Sequence, residues 1–125
     1  EKKVGVITAN SESLSGSLLQ KAGVGTEERA RVAVRGLEHA EHFDSAVFRE
    51  EGVLDTGKME AEVTEAARSV VREHPETGAL LLECSLLPPY AAAVAGETGL
   101  PVFDYVTMID YVFSAVVKRR FTGFM

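Results

Sequence analysis

The run Ala79-Leu80-Leu81-Leu82 constrains this chain more than any other feature. Four consecutive apolar residues, closed by Glu83, show no alternation of polar and apolar positions. A strand of this kind has both faces covered, as happens in parallel sheets sandwiched between helices. Parallel neighbours also need a crossover connection, usually helical. The run therefore calls for strands and helices to alternate on either side of it.

The flanking sequence supplies that alternation. Val4 to Thr8 reads as a first strand, and Leu14, Leu18, Leu19 and Ala22 then recur at helical spacing, with Gly23 placed to end the helix. Ser11 or Ser13 is the expected cap of that helix. Residues 24–31 read as a charged loop. Val32 to Val34 is a second, weaker strand, and its flanking Arg31 and Arg35 mark it as a sheet edge. Residues 38–48 form a mixed segment with room for a short helix. Lys58 to His74 is the clearest helix, with Met59, Val63, Ala66, Ala67, Val70 and Val71 in one apolar stripe and Pro75 as its stop.

After the Ala79–Leu82 strand, Pro88 or Pro89 opens a helix through Ala95, and Gly99 closes it. Pro101 to Asp104 is a fourth strand. Thr107 to Arg119 is a last helix, with Met108, Ile109, Val112, Phe113, Val116 and Val117 expected inside. Lys118, Arg119 and Arg120 then stand where a helix dipole favours cations. This order predicts an α/β fold of three layers, α/β/α, around a four-stranded parallel sheet. The first and third strands are the most apolar, so the expected strand order is 2-1-3-4.

A length of 125 residues suits one domain, and the expectation is a single α/β domain over residues 1–125, the second half of a two-domain protein. The chain starts at Glu1 without an initiator Met and leads at once into a strand, as a fragment or processed product would. The formal charge of −6 repels phosphate, which argues against nucleic acid and anionic membrane as partners. The apolar stretch from Leu86 to Val117 is broken by Pro88, Pro89, Glu97, Pro101, Asp104 and Asp110, too often to span a bilayer. A single cysteine makes no internal disulfide and fits a reducing, cytoplasmic setting. Phe121, Phe124 and Met125 form an apolar tail, expected to dock on a second domain or on another copy of the chain.

In an open parallel sheet, ligands bind beyond the carboxyl ends of the strands, where the strand order reverses. Here that point lies between the first and third strands. Thr8, Ala9 and Asn10 arrive there from the first strand, Glu83, Cys84 and Ser85 from the third, and Asp104 and Tyr105 from the fourth. Cys84 carries two readings. It is a small buried hydrophobe, or a reactive thiol in a partly exposed, thiolate-favouring place. Glu83 beside it works against the thiolate, although strand alternation points it to the other face.

The stretch Leu80-Leu81-Leu82-Glu83-Cys84-Ser85-Leu86-Leu87-Pro88-Pro89-Tyr90, continuing to Gly99-Leu100-Pro101-Val102-Phe103-Asp104, resembles the second half of the Asp/Glu/hydantoin racemase superfamily. The opening Val4-Gly5-Val6-Ile7-Thr8-Ala9-Asn10 is similar to the strand that begins that half. The resemblance implies a flavodoxin-like half and a cofactor-independent amino-acid racemase or isomerase acting on a small carboxylate. Cys84 would be one acid/base of a two-thiol pair. Thr8, Asn10, Ser85 and Asp104 would bind the substrate. Only one half and one thiol are present, so a second domain or a homo-oligomer would have to supply the other. A related decarboxylase or cis–trans isomerase shares the implied fold. The alternative is a non-catalytic module that binds a small carboxylate or a partner, with Cys84 inert.

Rival signals are weaker. His39 and His42, three residues apart, have no obvious third ligand, so they read as a solvated patch rather than a metal site. Gly23-Val24-Gly25 and Asp55-Thr56-Gly57-Lys58 lack the rest of a nucleotide-binding fingerprint and read as turns. No metal and no cofactor are expected.

Overall fold

The computed structural model describes residues 2–123. Four parallel strands, β1 (Lys3–Thr8), β2 (Val32–Gly36), β3 (Thr77–Leu82) and β4 (Val102–Phe103), form one sheet in the order β2-β1-β3-β4. This is the α/β architecture and the strand order that the apolarity of the first and third strands predicts. Two-sided pairing puts β1 and β3 at the centre, with Val6 opposite both Val34 and Leu81, and Ile7 opposite both Arg35 and Leu82.

The helices are α1 (Gly16–Lys21), α2 (Thr26–Arg29), α3 (Glu41–Phe43), α4 (Thr56–Glu73), α5 (Ala91–Thr98) and α6 (Tyr105–Val116). A π turn (Asp44–Phe48) extends α3, and a 3-10 turn (Pro88–Tyr90) leads into α5. The segment expected as a charged loop thus contains the one-turn helix α2. Pro at the start of the 3-10 turn supplies a fixed φ where no N–H is needed. Gly99 ends α5 in the left-handed region at φ 67°, a conformation that costs a residue with a Cβ.

One face of the sheet is closed by α4 and α5. Met59, Val63, Ala66, Ala67 and Val70 of α4 are buried against Ile7, Ala33, Leu80 and Leu82 of the strands. Val94 of α5, Phe43 of α3, Tyr90 of the 3-10 turn and Leu37 and Leu87 of the loops complete this core. Each large aliphatic side chain buried here stabilises the fold by roughly 1.5–3 kcal/mol relative to exposure. The fit is close at Gly5, where an added Cβ would come within 2.7 Å of both Leu80 and Val70.

The other face is different. By strand alternation it carries Val4, Val6, Val32, Val34, Leu81 and Phe103. The short helices α1 and α2 lie over its β1–β2 side, and neither has a buried residue. An apolar groove of about 670 Å³ runs between helices and sheet, lined by Val4, Val6, Val32 and Leu81 below and by Leu14, Leu18 and Leu19 above.

Three local expectations need correction. Neither Ser11 nor Ser13 caps α1; Ser15 does, its hydroxyl accepting the Leu18 N–H at 3.3 Å. Asp55-Thr56-Gly57-Lys58 is a helix start rather than a turn, because the Asp55 carboxylate accepts the Lys58 N–H at 3.0 Å and caps α4. The last helix begins at Tyr105 rather than Thr107, and the residues expected inside it, Met108, Ile109, Val112, Phe113, Val116 and Val117, are all exposed. Apolarity reports that a side chain favours burial, and nothing in the described chain reaches α6 to bury it. Phe121 is also exposed, and the tail residues Phe124 and Met125 lie outside the described residues. Among the described residues, no helix is long and apolar enough to cross a membrane.

Candidate functional site at the carboxyl edge of the sheet

Parallel strands bring their carboxyl ends to one edge, and β1 and β3 bring the two most polar loop starts there. Glu83 follows β3, and its N–H donates to the Ile7 carbonyl at 2.9 Å, extending the ladder by one residue. That register sets Glu83 beside Thr8. The Thr8 hydroxyl donates to Glu83 Oε2 at 2.8 Å. Thr8 itself is buried, so its one proton is committed to this bond.

Asn10 organises the loop after β1, its side-chain oxygen accepting the N–H groups of Glu12 at 2.9 Å and Ser13 at 3.3 Å. The amide NH2 end is the remaining donor. Cys84 is half-buried and packs against the α4–α5 core, while Glu83 faces the other side. The alternation expected from a strand persists, although β3 has ended at Leu82. Cys84 then opens a tight turn, its carbonyl accepting the Leu87 N–H at 3.0 Å, and Ser85 stands exposed at the corner.

Asp104 is buried and caps α6. Its Oδ1 accepts the Thr107 N–H at 2.8 Å, and the Thr107 hydroxyl oxygen accepts the Asp104 N–H at 3.0 Å. This reciprocal pair satisfies two N–H groups at the helix start.

Two carboxylates at this edge take parts that the sequence did not assign. Glu38 arrives from the end of β2 and clasps Ser11, accepting both its hydroxyl and its N–H. Burial works to raise the Glu38 pKa, and the Ser11 hydroxyl and the neighbouring N–H groups outweigh it, so the carboxylate is held below its ordinary value. With the Leu37 N–H donating to the Thr8 carbonyl at 3.0 Å, this clasp ties the β1 and β2 loops together. Its signal was available, since Glu38 follows a strand by two residues. Glu83 is the second. It lines both the groove over β1 and a cavity of about 740 Å³ between β3, β4 and α6. Cys84 lines neither of them.

His42 is occupied structurally: its Nε2 accepts the Asp55 N–H at 2.9 Å. Among the described residues, no group of three or more His, Cys, Asp or Glu side chains is placed to hold a metal ion.

Comparison with known proteins adds what geometry alone does not. A dimethylsulfoniopropionate lyase of Durusdinium sp. clade D is 33% identical over 120 residues, which is 94% of this chain and 39% of that protein. Dimethylsulfoniopropionate lyase 5 of Emiliania huxleyi is 38% identical over 114 residues, covering 88% of this chain and 22% of its own length. Dimethylsulfoniopropionate lyase 7 of the same organism is 31% identical over 123 residues, 93% of this chain and 35% of its own. The chain thus spans between about a fifth and two fifths of the length of these relatives. No family model matches the chain, and no solved structure matches it.

These relatives overturn the racemase reading. The proteins that align with nearly the whole chain bear the name of a lyase, not of an amino-acid racemase or isomerase. The physical reason is visible in the residues that carried the resemblance. An apolar strand, a thiol at its end, a Pro-opened helix and a strand ending in Asp are the parts of a parallel α/β edge. Asp104 in particular serves here as a helix cap. Such a pattern reports the fold and leaves the reaction open.

Proposed function

We propose that this chain forms part of a lyase that cleaves dimethylsulfoniopropionate or a close sulfonium carboxylate. The observation that carries the reading is the 33% identity to a lyase of that name along 94% of the chain. The reaction follows from the substrate's chemistry. A base removes a proton from C2, the C–H electron pair becomes the C2–C3 double bond, and the C3–S pair leaves with sulfur. The products are neutral dimethyl sulfide and propenoate, with the proton left on the base. Atoms and electrons balance with no electron carrier, because a sulfonium is already an activated leaving group.

Cys84 is our candidate for the base. It is half-buried at the end of a central strand, at the edge where Asn10 and Ser85 also arrive. The Asn10 NH2 group and the Ser85 hydroxyl are the donors we assign to the substrate carboxylate. Thr8 and Asp104 act one step back: Thr8 orients Glu83, and Asp104 fixes the start of α6. A thiol that must stay reduced to act fits a cytoplasmic setting.

The complete catalytic unit extends, in this reading, to a further domain or another copy of the chain. Two features support it: the relatives run well beyond the matched segment, and α6 carries a wide apolar face, opposite Thr107, Asp110 and Ser114, that is exposed. An amphipathic helix of this kind lays its apolar face against another element.

The test is release of dimethyl sulfide from dimethylsulfoniopropionate by the full-length gene product, with Cys84→Ala and Cys84→Ser beside it. Loss of the general base should lower kcat by about 10²–10⁴-fold. Full activity in Cys84→Ala would remove the thiol from the mechanism, and no dimethyl sulfide from the wild type would remove the lyase reading itself.

A further inference from the structure

The cavity between the ends of β3 and β4 and the first two turns of α6 has a chemistry of its own. Its walls are the rings of Phe103, Tyr105 and Tyr111 and the thioether of Met108. Its charged groups are two carboxylates, Glu83 and Asp104, and among the described residues no Lys, Arg or His lines it. Each carboxylate is held in place by one bond, Glu83 by the Thr8 hydroxyl and Asp104 by the Thr107 N–H. A carboxylate offers about four acceptor positions, so both keep most of their capacity toward the cavity.

A site that is apolar, aromatic and negative selects its ligand by exclusion. A carboxylate would meet two like charges. An alkane-like ligand would leave Glu83 without a counter-charge. A hard metal ion needs several oxygen ligands close together, and here the rings occupy that space. The group that satisfies all of these walls is a cation without N–H donors and with a methylated surface. Its charge is attracted to the negative ring faces and to Glu83, and its methyl groups pack on the rings.

We propose that this cavity binds a small methylated onium cation, and that it receives the dimethylsulfonium end of the substrate. The choice of sulfonium rests on the lyase reading above; the preference for a methylated cation rests on the cavity. Glu83 lines this cavity while Cys84, the next residue, packs on the opposite side of the strand end. A substrate with its sulfonium in the cavity would therefore have to cross the carboxyl edge of β3 to bring its C2 proton to Cys84. At about 740 Å³ the cavity is much larger than one sulfonium group, so the ion occupies the end nearest Glu83.

The experiment is an NMR titration of the 125-residue chain with trimethylsulfonium chloride, with tert-butanol as a neutral probe of similar size. The expected result is saturable shifts at Phe103, Tyr105, Met108 and Tyr111, with an affinity on the order of millimolar and tert-butanol about 10-fold weaker. Glu83→Gln and Tyr111→Leu should each weaken trimethylsulfonium about 5-fold while leaving the far-UV circular dichroism unchanged. Tyr111 is 80% exposed, so its substitution does not endanger the fold. Equal binding of tert-butanol, or insensitivity to both substitutions, would show a merely greasy groove and overturn the site. Failure of trimethylsulfonium to bind, with the full-length gene product still releasing dimethyl sulfide, overturns the site and leaves the lyase reading standing. Binding of trimethylsulfonium without any dimethyl sulfide release keeps the onium site and overturns the lyase.

Discussion

The two faces of the sheet are built from equally apolar residues and end in opposite states. On the α4 side, Ile7, Leu80 and Leu82 are fully buried beneath an 18-residue helix with a continuous apolar stripe. On the other side, Val4, Val34 and Phe103 are exposed, with a six-residue α1 above one end and α6 directed away from the other. The strands do not differ in their preference for burial. They differ in what the chain provides to bury them. A stripe extending over five turns covers three strands, and a helix of less than two turns cannot. The candidate site sits at the boundary between these states, with Cys84 on the closed side and Glu83 on the open one.

The contrast is tested most severely by truncating one residue on each face. Leu80→Ala should cost about 2–5 kcal/mol, because the cavity it leaves is walled by α4 and cannot collapse. Val34→Ala, on the open face of an edge strand, should cost no more than about 0.5 kcal/mol. Urea unfolding of the two variants measures the difference directly. Comparable losses would mean that the open face is packed as tightly as the closed one, and the distinction would fall.

A smaller effect is expected where the open side begins. Asp104→Ala removes the cap of α6 and should destabilise that helix by about 1 kcal/mol. Because α6 packs little, the loss should appear as local fraying. Amide exchange in residues 105–108 should speed up roughly 5-fold, by the same cap energy, with the global unfolding midpoint nearly unchanged. A fall in the global midpoint would instead tie α6 to the core.

What was legible in the sequence follows the same division. Strand order, the α4 stripe and the stops at Pro75 and Gly99 could be read because each depends on a few neighbouring residues. The cap of α1 could not, since Ser11, Ser13 and Ser15 offer the same chemistry and only the course of the backbone selects Ser15. Convergence of Thr8, Asn10, Cys84, Ser85 and Asp104 at one edge followed from topology. The tie between Thr8 and Glu83 did not, because it joins residues 75 apart and depends on the register of β1 against β3. The interior placement expected for α6 failed for a different reason. Its pattern reports what the helix would bury if it had a partner, and among the described residues no partner lies over it.

The smallest effect on stability, and the sharpest test of that last point, comes from α6 itself. Ile109 and Val112 are three residues apart on the same side of the helix, and each is more than half exposed. Converting both to Lys removes no buried contact. Unfolding of the 125-residue chain should therefore change by no more than about 0.5 kcal/mol, as for surface positions generally. Binding of a hydrophobic dye should fall, because an exposed apolar surface has been broken. The same pair placed in the larger catalytic unit proposed above discriminates further. If another domain or copy covers α6 there, two buried and unpaired ammonium groups should lower stability by several kcal/mol or prevent folding. An equally mild effect in both proteins would mean that α6 stays exposed throughout, and the contrast between the two faces would be a permanent property of the molecule.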